Sequence, residues 1–114
     1  MIVIVVRCAL YRAAYYCRVA LSEEARLILV SLADGAKHGY AIAQDVERFA
    51  SRRLGPGTLY GAIARLESWG YIEPLAGDAR RRPYRLTSAG LRALKSEIHV
   101  LRRLTSAAAR RLAR

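Results

Sequence analysis

Cysteine is nearly absent from this chain: Cys8 and Cys17 are the only two in 114 residues. Two are too few for a disulfide framework, and no further thiols complete a zinc site. They read as free thiols in a reducing compartment, with a redox pair as the alternative. Long apolar runs are missing too, since nothing approaches the ~18 residues of a membrane span. The run Ile2-Val3-Ile4-Val5-Val6 has no charged lead-in and no clear cleavage site, which argues against a secretory signal. A cytoplasmic protein with no membrane partner is expected. Catalytic constellations are also lacking. The two histidines, His38 and His99, have no Ser, Cys or acid at a motif spacing. No enzyme activity, cofactor or metal site is expected.

Acidic residues are scarce: nine against twenty basic ones, a net charge of +11. Such a balance fits an anionic partner, nucleic acid or anionic membrane. The shortage is uneven. Residues 80–114 hold eleven basic residues and only Glu97 as an acid, whereas residues 21–79 hold six basic and eight acidic. The basic character therefore sits in the last third of the chain.

The length suits one domain with a modest core. Residues 1–20 fit the remainder poorly. They read either as an extra helix, with Cys8, Tyr11, Tyr15 and Val19 near one face, or as an extension translated from a misplaced start. From there the pattern is regular. Ser22 is a good N-cap, Glu23 and Glu24 suit the positive end of a helix, and an almost wholly apolar stretch follows to Leu32. Asp34-Gly35 ends it. A second helix is expected over residues 39–51, with Ile42, Val46 and Phe49 inward and Gln44, Asp45, Glu47 and Arg48 outward.

The segment from Leu54 to Glu73 is the most informative. Pro56 suits a first helical turn and Gly70 the left-handed residue that ends a helix. Leu59, Ile63 and Leu66 form one narrow apolar stripe. The opposite face offers Thr58, Gly61, Arg65 and Ser68. A short helix anchored along one stripe, with small polar groups and an arginine outward, has the form of a helix that enters a groove of DNA.

Beyond Gly70, Tyr71-Ile72-Glu73-Pro74-Leu75 reads as a short edge strand and Tyr84-Arg85-Leu86 as its return. The basic run Arg80-Arg81-Arg82 lies in the loop between them. Thr87 then caps a last helix. Along it Leu91, Leu94, Ile98, Leu101, Thr105, Ala108 and Leu112 step alternately by three and four, a heptad seam. Such a seam packs on the chain's own core or on a second copy; a helix of about 27 residues, ~40 Å long, exceeds what a small domain covers, so the second copy is the favoured expectation. Arg92, Lys95, Arg102, Arg103, Arg110 and Arg111 lie off the seam and would repel between two such helices. Glu23, Glu24, Asp34, Asp45 or Glu47 are expected to offset some of that charge.

The expected fold is mostly α with a small β-hairpin wing (α+β): a winged helix-turn-helix over residues 21–87, then a long dimerisation helix over residues 88–114. The chain resembles the PadR family of bacterial transcriptional regulators. The resemblance rests on His38-Gly39-Tyr40, Pro56-Gly57-Thr58-Leu59-Tyr60, Leu66-Glu67 with Gly70-Tyr71-Ile72, and Arg82-Pro83-Tyr84-Arg85-Leu86-Thr87-Ser88-Ala89-Gly90. It covers about residues 21–104. It implies a homodimer joined through the C-terminal helix (Leu91, Leu94, Ile98, Leu101, Ala108), binding a near-palindromic DNA operator, usually as a repressor, with a small-molecule effector in many members. Gly61 stands where the family commonly has proline, which is expected to loosen the first turns of the reading helix.

Each candidate carries two readings. The N–H groups of Gly57 and Thr58 form a natural phosphate site, with capping or packing as the alternative for the Thr58 side chain. Tyr60 contacts backbone or base, or is a core aromatic with a wet hydroxyl. Arg65 reads a base bidentately or is a solvated helix arginine. Arg80, Arg81 and Arg82 meet phosphate or the minor groove, or form a solvated face. Tyr40 is a candidate backbone contact or a packing aromatic, His38 a helix start, and Trp69 is expected to pack under the wing. Two functions from other classes compete with a dimeric specific repressor: a winged-helix protein-interaction module and a nonspecific nucleic-acid-binding protein.

Overall fold

The computed structural model describes residues 21–77 and 81–113. The expectations placed on residues 1–20, Cys8 and Cys17 included, and on Arg80 lie outside the described residues. In chain order the elements are α1 (Glu23–Leu32), β1 (Lys37–His38), α2 (Gly39–Ala50), α3 (Pro56–Ser68), β2 (Ile72–Pro74), β3 (Pro83–Leu86) and α4 (Ser88–Leu112). This is a winged helix-turn-helix with a long final helix.

Local signals set the ends of these helices. The Ser22 hydroxyl accepts from Ala25 N–H at 3.1 Å, and Glu23 and Glu24 occupy the first turn of α1. At the end of α2, Ser51 takes the left-handed conformation at φ 52°. Gly70 does the same after α3, at φ 79°, where glycine carries no Cβ penalty. The Thr87 hydroxyl accepts from Gly90 N–H at 3.0 Å and starts α4. The same hydroxyl donates to the Gly70 carbonyl at 2.6 Å, so it binds the end of α3 to the start of α4. Gly90 is pressed against this joint: a Cβ there would strike the Tyr71 carbonyl oxygen and lie 2.9 Å from its carbon.

The core lies where α1, α2 and α3 meet. Ala25, Ile28, Leu29 and Leu32 from α1 pack with Ile42 and Val46 from α2 and with Leu59, Ala62, Ile63 and Leu66 from α3. Ile72 and Leu94 close it. Phe49 does not join them. It shares a side with Ile42 and Val46 but falls in the last turn of α2, past the cover of its neighbours, and stays 45% exposed. Asp45 is not wholly outward either, because the buried Ser31 hydroxyl donates to its carboxylate at 2.8 Å.

The sheet has three strands rather than the two of a hairpin, in the order β1-β3-β2, all antiparallel. Strand β1 pairs Lys37 with Tyr84 and His38 with Pro83. Two residues cannot show an alternating pattern, so only tertiary pairing reveals it. Strand β2 is an edge, as Pro74 demands. It is shorter than the expected span from Tyr71 to Leu75, and β3 gains Pro83.

Helix α4 packs on α1 and β3 through its first turns only. Leu94 is buried there at 4% exposure, so this seam residue serves the chain's own core and not a free dimer face. Glu97 is also buried, and Arg26 Nε donates to its Oε2 at 2.8 Å. Its Oε1 finds no partner among the described residues. Most of the rest of the seam is uncovered: Leu91 is 43%, Ile98 37% and Leu112 85% exposed, while Leu101 is half-buried. The five carboxylates expected to offset the α4 charge pair elsewhere. Arg52 bonds Glu23 and Glu24, Lys37 bonds Asp34, Arg48 pairs with Asp45 and Arg53 with Glu47. Sequence proximity and the close packing of α1 and α2 decide those pairs.

Candidate nucleic-acid interface

Helix α3 buries its stripe as expected: Leu59, Ala62, Ile63 and Leu66 are all 3% exposed or less. Fixing that stripe turns Gly57, Thr58, Tyr60, Ala64 and Arg65 to solvent. The first helical bond runs from Leu59 N–H to the Gly55 carbonyl at 2.8 Å. Pro56 has no N–H to offer, and Gly55 caps nothing with a side chain. The N–H groups of Gly57 and Thr58 therefore point out of the helix start, where an oxyanion is favoured. Thr58 neither caps nor packs; it is exposed, and no hydrogen bond within the described residues engages its hydroxyl.

Gly61 does not break the helix, which continues unbroken to Ser68. Its bare surface instead receives the Arg65 side chain, whose Nη1 lies 3.7 Å from where a Cβ would stand. Arg65 is exposed and faces no carboxylate among the described residues. A cation left unpaired on a solvent face is available to an outside anion or base edge.

Tyr60 is 47% exposed and lies across the start of α2. A Cβ at Gly39 would meet its hydroxyl and come within 2.8 Å of Cζ. This close approach gives Gly39 a role that no local pattern signals. Tyr40, next in sequence, is 66% exposed. The two tyrosines, with Leu54, Pro56 and Leu59, wall a groove of ≈ 600 Å³ between α2 and α3, with Glu47 and Arg53 also lining it. His38 is the N-cap residue of α2 and contributes no side-chain cap.

The wing adjoins this surface. Arg81 and Arg82 are exposed in the loop after Gly77. Arg85 reaches Glu73 across the β2–β3 pair at 3.4 Å. Tyr84 joins wing and helix. Burial pushes its phenol above the ordinary value, the Glu67 carboxylate adds to the rise, Arg82 opposes it and Tyr60 adds a little. The residues of α3 and the wing thus share one electrostatic neighbourhood around Tyr84, which sequence reasoning assigned no role. Trp69 is the residue expected to pack under the wing. It is 38% exposed, and its ring meets Tyr71 edge-on at 6.1 Å.

Among the described residues no helix is long and apolar enough to cross a membrane, and no cluster of three metal-ligating side chains occurs. Comparison with known proteins agrees with this arrangement. The family model described as Transcriptional regulator PadR-like family matches residues 28–96. The chain belongs to the PadR-like family of transcriptional regulators. The match in this PadR-like chain takes in α2, α3, the wing and the start of α4. It is 40% identical over 80 residues to Transcriptional regulator Rv3488 of Mycobacterium tuberculosis, covering 68% of this chain and 74% of that one. It is 49% identical over 79 residues to a 37.1 kDa protein of transposon TN4556 from Streptomyces fradiae, covering 69% of this chain but only 23% of that protein. The chain thus spans about a quarter of that relative's length. Among solved structures, a PadR family transcription regulator from Clostridium difficile superposes with a TM-score of 0.73 at 27% identity. That alignment covers 80% of this chain and 99% of the other.

Proposed function

We propose that this PadR-like regulator is a dimeric, sequence-specific repressor that occludes promoter DNA. The observation that carries the reading is the split character of α3. One face is locked into the core, while Gly57, Thr58 and Arg65 on the other present donors that nothing in the described chain uses. Such a helix enters the major groove with its first residues toward base edges. The wing arginines Arg81 and Arg82, with Arg80, hold phosphate or the minor groove beside it. Tyr60 and Tyr40 flank the helix start and contact backbone.

The dimer is formed through α4. Leu91, Ile98, Leu101 and Ala108 lie along one side of it, and no described residue past Glu97 is buried. Two copies would bring two reading helices to the halves of a near-palindromic operator. Release of the operator follows binding of a small effector or of a partner.

Selection of bound sequences from a random duplex pool tests this reading. An inverted repeat with half-sites about one helical turn apart, ~34–36 Å, supports a dimeric specific regulator. Recovery of no motif, with binding that vanishes at moderate salt, leaves only counterion-driven attraction and rejects the reading.

A further inference from the structure

Helix α4 has a second long face that neither the core nor the apolar seam uses. Successive helical residues turn by about 100°, so Arg92, Lys95, His99, Arg103 and Arg110 stack within one sector of roughly 80°. Arg102 and Ser106 border or fill that sector, and every one of these except Ser106 is basic or a histidine. The apolar seam occupies a different sector, turned from this one by about 130°. All the basic residues of the face are exposed. Their side chains shape a shallow groove of ≈ 300 Å³ walled by His99, Arg102, Arg103, Ser106 and Arg110.

Solubility alone accounts poorly for this pattern. A solvated helix face commonly mixes signs at three- and four-residue spacing, which stabilises the helix. Here the one acid of α4, Glu97, turns inward to Arg26. No other ion pair among the described residues involves α4. Arg110 and Arg111 suit the negative end of the helix, but Arg92, Lys95, Arg102 and Arg103 lie inside it, where no helix end compensates them. The face therefore carries uncompensated repulsion along its length, which an extended anion would relieve.

We propose that this face of α4 is a second DNA contact, a track for the phosphate backbone of a duplex, separate from the reading helix. Charge complementarity names the occupant. Arg92, Lys95, Arg103 and Arg110 follow one another along a straight rod at about 4.5, 12 and 10.5 Å, at 1.5 Å per residue, a row of positive charge about 27 Å long that matches the continuous line of phosphates on a duplex. The contact carries no base information, because arginines laid along a backbone meet only phosphate. It is compatible with a dimer, since pairing through the seam leaves this sector outward. Its effect is to hold flanking or neighbouring DNA against the regulator.

The test uses the full chain and a duplex of random sequence, so that its outcome does not depend on which sequence α3 reads. The variant combines Arg102→Gln, Arg103→Gln and Arg110→Gln. The expected result is a fall in the log–log salt slope of binding by about 0.9 per phosphate contact, ~2.7 in all, with an unchanged helix content. A second variant, Arg92→Gln with Lys95→Gln, lies on the same face in the opposite half of the helix and should lower the slope by ~1.8. Unchanged slopes for both variants overturn the proposal. So does a loss confined to phosphatidylglycerol vesicles or to polyglutamate, which would make the face a membrane or acidic-protein contact. The regulator reading fails separately, through a random-pool selection that yields no motif.

Discussion

The aromatic ring of Tyr60 lies over Gly39 so closely that no β carbon fits between them. The contact joins α3, the proposed reading helix, to the first turn of α2. It fixes the orientation of a half-exposed tyrosine at the proposed DNA surface. Gly39→Ala should displace that ring. Because the ring is the free end of a rotatable side chain, the cost in stability should stay below about 1 kcal/mol. Affinity for the selected operator should fall to the level of Tyr60→Ala, and the double variant should be no worse than either single one. Binding titrations with urea melts check this; additive losses in affinity would show that the two residues act separately.

Gly90 presents the opposite case. Its neighbour is the backbone carbonyl of Tyr71, which cannot swing aside. Gly90→Ala should therefore destabilise the domain by ~2 kcal/mol or more, read as a lower urea midpoint. A midpoint within error of the wild type would mean that α4 can slide along β3.

Arg52 holds the Glu24 carboxyl below its ordinary value of 4.5, chiefly through a hydrogen bond at 2.6 Å. A depressed carboxyl contributes stability that is present above its unfolded value and is lost as pH falls through its folded one. Arg52→Gln should thus lower stability most above pH 4.5. The gap from the wild type should close as the solution becomes more acid. Circular dichroism melts across an acid series would reveal it; a gap that widens in acid would contradict the linkage.

Arg65 and the wing should fail in different ways. Arg65→Ala should relax preference at one base pair in each half-site by about 1–3 kcal/mol. Arg81→Ala with Arg82→Ala should weaken all sequences alike and reduce the salt slope by about 0.9 for each phosphate no longer neutralised. Equal losses on every sequence for Arg65→Ala would remove it from base readout.

What the sequence reveals about this chain is what depends on near neighbours. Ser22, Pro56, Gly70 and Thr87 mark helix ends through bonds or dihedrals that span only a few residues, and each occupies its expected place. The reading helix is legible because its buried stripe has a period. Strand β1 is not, since Lys37 and His38 acquire their pairing only from Tyr84 and Pro83, more than forty residues away. Periodicity also exposes the apolar line along α4 without telling which part of it the domain itself covers, and Leu94 is the residue where that ambiguity matters. The contact of Gly39 with Tyr60 belongs to the same class. It joins residues from different helices, and glycine leaves no pattern of its own.

The threonine that starts α4 grips the glycine that ends α3. Farther along, Arg26 pins Glu97 and holds the same helix to α1. These two contacts tie α3 and α1 directly to the proposed dimer arm. A pair of such chains would work as a calliper with welded joints: the gap between its jaws can change only by re-aiming the arms at the seam, which makes that seam the place to adjust which operator spacing is measured.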